Sequence, residues 1–357
     1  MSAPEYKPHF LQDAEVHALR VKQPEIDYID AFSRQLRELY QIQVPGHIGE
    51  NKDVMFASEE YATYVKKMEA DYVHVHLPWN HSITKSVNAR EYFLLKTNRN
   101  QDLITAEEQV KLYAAKVGVF GLSVGSNIAF ALTQSGISRS IVIADFDELD
   151  TTNLNRISAG IHQIGLNKSV IVARRIYEDN PFADVRALTR GIDVASLGAM
   201  LDDASLDIIV DEVDDMPFKI EARKLALKYK VPVVMATDNG DGIVLHVERY
   251  DLGYDKIFGK PVSHFDSIGS NLSGEQAGRI IMEDIVGGVN HVDSAMLASV
   301  KRVLGKELVS WSQLGTAALL GGVVATFIVK QILLGKSTNP DIRAYISPLS
   351  GEWASHN

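Results

Sequence analysis

Two groups of polar residues stand where nucleotide chemistry is done in a strand–helix protein. The apolar run Lys116 to Phe120 leads into Gly121-Leu-Ser123-Val-Gly125-Ser126. Small residues there let the backbone approach phosphate oxygens, and a helix starting beyond them offers free N–H groups and a partial positive charge. Asp145 ends the next apolar run, where a carboxylate accepts hydrogen bonds from ribose hydroxyls. These two features fit ATP and NAD equally, and a tight turn built only for packing is the plainer alternative.

The residues that follow separate the two nucleotides. Asp145-Phe-Asp147 leads to Asn153-Leu-Asn-Arg156, and Gly165-Leu-Asn-Lys168 opens a helix. A lysine in a first helical turn opposes the helix dipole, a small cost that makes sense when its ammonium faces a polyphosphate. An oxidoreductase using NAD gives no reason for Asn153, Arg156 and Lys168 together. Further on, the apolar run from Leu206 meets Asp211-Glu-Val-Asp214-Asp215. Four carboxylates in five residues repel one another. Solvation explains them, and so does a magnesium ion shared with nucleotide phosphates, since magnesium takes one or two carboxylates plus phosphate oxygens.

As a set, these residues resemble the ThiF family, the adenylating domains shared by ThiF, MoeB and the ubiquitin-activating enzymes. The resemblance runs from about Glu91 to Gly335. It implies that ATP and Mg2+ bind over Gly121, Ser123 and Gly125. Asp145, Asp147 and Asn153 would lie at the nucleotide, Arg156 and Lys168 on its phosphates, and Asp214 on the metal. It implies an arginine reaching the partner subunit's ATP, matched here by Arg99 of Asn98-Arg99, and hence a homodimer. The region with Pro78-Trp79 and Thr97-Asn-Arg-Asn100 is similar to a bacterial subgroup of the family. The implied reaction is adenylation of a carboxylate on a peptide or small molecule. A non-catalytic nucleotide-binding partner subunit and an NAD-dependent oxidoreductase are the rival readings. Three departures stand out. Ser123 and Val124 occupy places where the family usually has glycine. The paired Cys-x-x-Cys motifs that bind zinc in many relatives are missing. With no cysteine anywhere in the chain, transfer through an enzyme thioester is excluded. Recognition of the acid is expected at Thr237-Asp238-Asn239 or in the polar segment Gly253 to Glu275.

The elements needed to position these residues alternate. Strands are expected at Lys116 to Phe120, Ser140 to Asp145, Val185 to Leu188, Leu206 to Val210 and Val231 to Ala236. Helices follow Gly121 and are expected at Leu166 to Glu178 and Pro217 to Lys228. This order predicts an α/β fold with a Rossmann-like, doubly wound, mostly parallel sheet. Residues 1–88 lack that rhythm and read as a small α+β accessory domain, with 89–357 forming the adenylation domain. In the first region Asp30 to Gln43 and Ser58 to Ala70 have helical periodicity, and Tyr72 to Leu77 alternates like a strand. His74, His76 and His81 cluster there. Partly buried strand histidines account for them more simply than a metal does.

The chain has 357 residues, 46% hydrophobic and 23% charged, with a net charge of -10. That acid excess disfavours nucleic acid as a partner. The opening residues carry no apolar leader core, so the cytoplasm is expected. Leu314 to Leu334 is long enough to span a membrane, but its Gly, Ala and Thr content reads better as a core or subunit-interface helix.

Overall fold

A computed structural model describes residues 5–47, 49, 51–266 and 272–347. The chain divides into two compact units: Met1–Val110 with Ile176–Phe182, and Lys111–Arg175 with Ala183–Asn357.

The first unit is α+β. Its strands β1 (His9–Leu11), β2 (Asp27–Asp30), β3 (Tyr72–Leu77) and β4 (Ser82–Val87) form a sheet in the order β1-β3-β4-β2. Helix Phe32–Gln43 buries Phe32, Leu36, Leu39 and Tyr40, the spacing of one helical stripe, with Val87 of β4 in the same core. Helix Glu59–Met68 begins where Ser58 Oγ accepts the Tyr61 N–H. The three histidines have different surroundings. His74 is buried with Nε2 2.9 Å from Asp13 Oδ1, His76 packs its ring against His9, and His81 occupies the turn after Pro78–Asn80. Among the described residues no group of histidines and carboxylates is arranged to hold a metal.

The second unit carries the Rossmann-like sheet. Its strands are β5 (Lys116–Phe120), β6 (Ser140–Ala144), β7 (Asp184–Leu188), β8 (Ile208–Asp211), β9 (Val233–Asn239) and β10 (Gly242–Glu248). A hairpin of β11 (Lys256–Ile257) and β12 (Lys260–Pro261) stands apart, and β13 (Asp341–Ile346) closes the main sheet. The order is β13-β10-β9-β8-β5-β6-β7, with β7, β6, β5, β8 and β9 mutually parallel and β10 and β13 antiparallel additions. β5 and β8 are almost wholly buried, as their continuous apolar runs require of strands covered on both faces. The chain order reverses between β5 and β8, so their carboxyl ends flank the crevice where such sheets bind ligands.

Helix Gly315–Leu333 is long and apolar enough to cross a membrane by length and composition. One of its faces is occupied by protein. Ala317, Ala318, Gly321, Gly322, Ala325 and Val329 are buried. A Cβ on Gly322 would lie 2.9 Å from Asn127 Cβ, and one on Gly321 would lie 3.0 Å from Val124 Cγ1. The small residues thus seat this helix on its neighbour Val124–Gln134 and on β9. The other face leaves Leu319, Val323 and Phe327 exposed.

Beneath the carboxyl end of β8 lies a buried ionic network. Arg223, fully buried, donates from Nη1 to Asp211 and from Nε to Glu248 Oε2 at 2.6 Å, and its guanidinium lies over the Phe258 ring. Lys219 Nζ stands 3.3 Å from Asp211 Oδ2. These cations hold the Asp211 carboxyl below its usual range despite burial, which alone would raise it. Asp211, first of the four clustered acids, is therefore a structural anchor.

Candidate functional site

The carboxyl ends of β5, β6, β7 and β8 surround a cavity of about 510 Å³. Gly121, Ser123, Asp145, Asp147, Lys168 and Asp214 all line it. Gly121 has φ +86°, and a Cβ on it would lie 2.3 Å from the Glu212 carbonyl oxygen, so only glycine fits where the turn crosses β8. Gly125 brings helix Val124–Gln134 onto β5, with a Cβ there 3.1 Å from Val119 Cγ1.

Asp145 organises this turn. Its Oδ2 accepts the Leu122 N–H at 2.7 Å and its Oδ1 the Asp147 N–H at 2.8 Å. Burial raises its carboxyl, while those two N–H donors and the Lys168 charge draw it back down. Lys168 begins helix Lys168–Asp179 and is buried at 7% exposure, with Nζ 2.8 Å from Asp147 Oδ2. Asn167 fixes the approach, donating from Nδ2 to the carbonyls of Asp145, Asp147 and Thr189. The lysine is thus held at the cavity wall with a partly exposed carboxylate as its partner.

The segment between Asp147 and Lys168 is pinned at both ends. Leu149 and Ile157 are buried against Ile171, and Leu149 exchanges backbone hydrogen bonds with Gly165 and Leu166. Asn153 has a local role: its Oδ1 accepts the Asp150 N–H, and its carbonyl accepts the N–H groups of Arg156 and Ile157. Arg156 then reaches back to the turn, donating from Nε to Ser123 Oγ at 2.9 Å and from Nη1 to Thr152 O and Asn155 Oδ1. Burial lowers its basicity, and the charges of Asp238 and Asp214 raise it again. The two residues that replace glycines in the turn therefore have partners. Ser123 holds Arg156, and Val124 packs where Gly321 makes room.

Asp214 is exposed at the cavity edge, and Asp215 caps helix Met216–Tyr229 by accepting the Phe218 N–H. Magnesium fits a site that offers the single carboxylate of Asp214 and relies on phosphate for the remaining oxygens. Arg99 lies in the first unit, exposed, in the short helix Asn98–Asn100.

Glu212, one of the four clustered acids, lines the cavity, and two further lining residues, Gly191 and Asp193, escape a reading of the sequence. Glu212 Oε1 accepts the Ala236 N–H at 2.8 Å, and burial pushes its carboxyl well above the usual range. Asp193 caps helix Val194–Asp202, and Gly191 at φ +78° approaches the ring of the exposed Phe146. A glycine and an acid soon after β7 were the available signal, obscured because the charges of Asp184 and Arg186 make this strand weakly apolar. The segment Gly253 to Glu275 is anchored more firmly than its polarity implies. Ile257, Phe258 and Phe265 join a core with Met216, Met235 and Ile285. Residues 267–271 of that segment lie outside the described residues, and Leu272 beyond them lines the cavity.

Comparison with known proteins gives a consistent picture. A model of the ThiF family matches residues 95–340. The chain is 32% identical over 317 residues to the uncharacterized protein MT1398 of Mycobacterium tuberculosis (strain CDC 1551 / Oshkosh), covering 88% of this chain and 41% of that protein. It is 33% identical over 139 residues to the tRNA threonylcarbamoyladenosine dehydratase of Bacillus subtilis (strain 168), covering 38% of this chain and 54% of that protein. The aligned regions are thus about half or less of these relatives. Among solved structures, TcdA (CsdL) superposes with a TM-score of 0.52 at 18% identity, covering 70% of this chain and 98% of that one. The Escherichia coli tRNA N6-threonylcarbamoyladenosine dehydratase in complex with AMP gives a TM-score of 0.51 at 18% identity with the same coverage. At that identity the superpositions establish a shared fold.

Proposed function

Because this chain belongs to the ThiF family, we propose that it binds ATP with Mg2+ in the cavity beneath the Gly121 turn and adenylates a carboxylate. One convergence carries the proposal: the buried Lys168, the exposed Asp214 and the Ser123 that braces Arg156 all line the same cavity. Asp145 and Asp147 serve the ribose end, and Arg156 and Lys168 the phosphates. Asp214 would hold the metal, which when bound adds positive charge at the phosphate oxygens. A substrate carboxylate oxygen bonds to the α-phosphorus while the bond from that phosphorus to the bridging oxygen breaks, and pyrophosphate leaves with the electron pair. The protein contributes positioning and charge stabilisation, with no covalent enzyme intermediate.

The net charge of -10 favours a small molecule or peptide over nucleic acid as the acid's carrier. The exposed stripe Leu319, Val323 and Phe327 supports a homodimer, and the exposed Arg99 supports a contribution to the partner's nucleotide. The proposed setting is the cytoplasm. ATP–pyrophosphate exchange across a panel of acids and peptides tests the activity, and melting shifts with ATP–Mg2+ against NAD test the nucleotide. ATP binding without exchange would favour a non-catalytic partner subunit, and a shift with NAD alone would favour an oxidoreductase.

A further inference from the structure

The nucleotide cavity continues into a groove of about 590 Å³ drawn from two segments, 214–217 at the start of helix Met216–Tyr229 and 272–277 at the start of helix Gly274–Ile280. Asp214, Asp215, Pro217 and Leu272 line both spaces. The junction therefore lies at the acid proposed to hold the metal, which is the phosphate end of the cavity. The groove is as large as the cavity itself, about 510 Å³, and both fall in the range of sites that hold a drug-sized ligand. A two-carbon acid would leave most of the groove empty.

The groove differs in charge from the cavity. Lys168 lines the cavity and suits phosphate. Among the described residues no lysine, arginine or histidine lines the groove, and residues 267–271 of the chain carry no charged side chain. Two exposed carboxylates stand at the junction instead, Asp214 and the helix-capping Asp215. An acidic group on the substrate's tail would meet like charge there and find no cation. The other lining residues mix apolar Met216, Pro217, Leu272 and Ala277 with polar Ser273 and Gln276. The polar pair caps its helix reciprocally: Gln276 Oε1 accepts the Ser273 N–H at 2.9 Å, and Ser273 Oγ accepts the Gln276 N–H at 3.2 Å. The Gln276 amide is thereby oriented, with Nε2 as the donor it can offer a carbonyl. A hydrocarbon tail has no use for that donor, whereas a peptide presents a carbonyl at every residue. Resting on the adenylation reading, we infer that the acid activated by this protein is the C-terminal carboxylate of a peptide, and that this groove holds the residues before it, which carry no acidic side chain.

Sulfamoyl-adenosine mimics of the acyl adenylate read the groove directly in titration calorimetry of the full chain. The N-acetyl-trialanyl mimic should bind at least ~10-fold more tightly than the acetyl mimic, the gain from burying roughly 60 Å² of apolar surface. Replacing its first two alanines with glutamate should weaken it at least ~5-fold. Gln276→Arg puts a cation in the groove and should recover most of that loss, with the acetyl mimic unmoved. Equal affinities for the trialanyl and acetyl mimics, or no penalty for glutamate, would overturn the inference. An octanoyl mimic that outbinds the trialanyl one would assign the groove to a lipid acid instead. A glutamate penalty untouched by Gln276→Arg would place the peptide elsewhere. Failure of ATP–Mg2+ and of the acetyl mimic to bind at all would defeat the adenylation reading itself, so the two failures are distinguishable.

Discussion

Arg156 Nε donates to Ser123 Oγ at 2.9 Å, so the residue that interrupts the glycine turn orients the arginine assigned to phosphate. Removing the guanidinium should cost at least ~10²-fold in ATP–pyrophosphate exchange. Ser123→Ala removes one neutral acceptor and should cost only about fivefold, near 1 kcal/mol. The double variant should be no slower than Arg156→Ala alone, because the serine acts through the arginine. Additive losses would show that Ser123 touches the nucleotide independently.

Lys168 is buried against Asp147 with its amine at the cavity wall. Lys168→Met keeps the apolar stem and removes the charge. ATP affinity should fall at least ~10-fold, the loss expected from one charge-assisted contact, with a melting temperature close to wild type. Unchanged affinity in calorimetry would make the pair purely structural.

Gly121 and Gly165 have similar positive φ angles, +86° and +84°, but different surroundings. A Cβ at Gly121 meets the Glu212 carbonyl at 2.3 Å, while at Gly165 nothing lies within 4 Å. Gly165→Ala should cost about 1 kcal/mol in urea unfolding, the backbone penalty alone. Gly121→Ala carries that penalty and a clash with main chain, and should cost more than ~2 kcal/mol while impairing ATP binding. Equal costs would show that the turn can shift away from β8.

Asp238 has a stability signature of its own. Burial and the Asp214 charge raise its carboxyl from 3.8 to about 6, against the opposing pull of Arg156, and its charge in turn helps to raise Glu212. A carboxyl raised in the folded state binds protons more tightly there than in the unfolded chain. Its charged form costs stability above pH about 6, and that cost disappears as pH falls toward about 4. The difference corresponds to an upper bound of about 3 kcal/mol. Asp238→Asn should therefore be more stable than wild type near neutral pH, with the gain vanishing near the unfolded carboxyl pKa. Denaturant unfolding of both proteins across this range would show it, and a pH-independent difference would contradict it.

Leu319, Val323 and Phe327 recur every four residues along one exposed helix stripe. Val323→Asp should convert the proposed homodimer to monomer in light scattering while sparing the fold, because the opposite face carries the packing. An unchanged mass would move the subunit contact elsewhere.

The strand–helix alternation from Lys116 to Ala236 was legible because β5, β6, β8 and β9 each hold an unbroken apolar run, while β7 (Asp184–Leu188) is broken by the charges of Asp184 and Arg186. Gly121, Asp145, Asp147, Lys168 and Asp214 line one cavity as their placement after strands implies. The first unit was harder to read. β2, Asp27–Asp30, is acidic and mostly exposed, and β1 has three residues, so neither shows a clear period. The role of Ser123 was hidden as well: its partner is 33 residues away, and a departure from a glycine pattern gives no sign of what the new side chain holds. Asp211 and Asp214 look alike in sequence. Only the packing of Arg223 and Lys219 around Asp211 separates an anchor from an exposed acid.

The Arg156 loop is also fastened to the start of the apolar helix. Asn155 Nδ2 donates to the Gln313 carbonyl at 2.8 Å, and a Cβ on Gly315 would lie 2.2 Å from the Asn155 carbonyl oxygen. Any side chain at Gly315 must push on the residue next to Arg156. In a genetic screen for lost activity, alleles at this helix start should therefore appear among those of the residues proposed to hold phosphate, far from them in the gene. Second-site suppressors of such alleles should map to the Asn153–Arg156 segment.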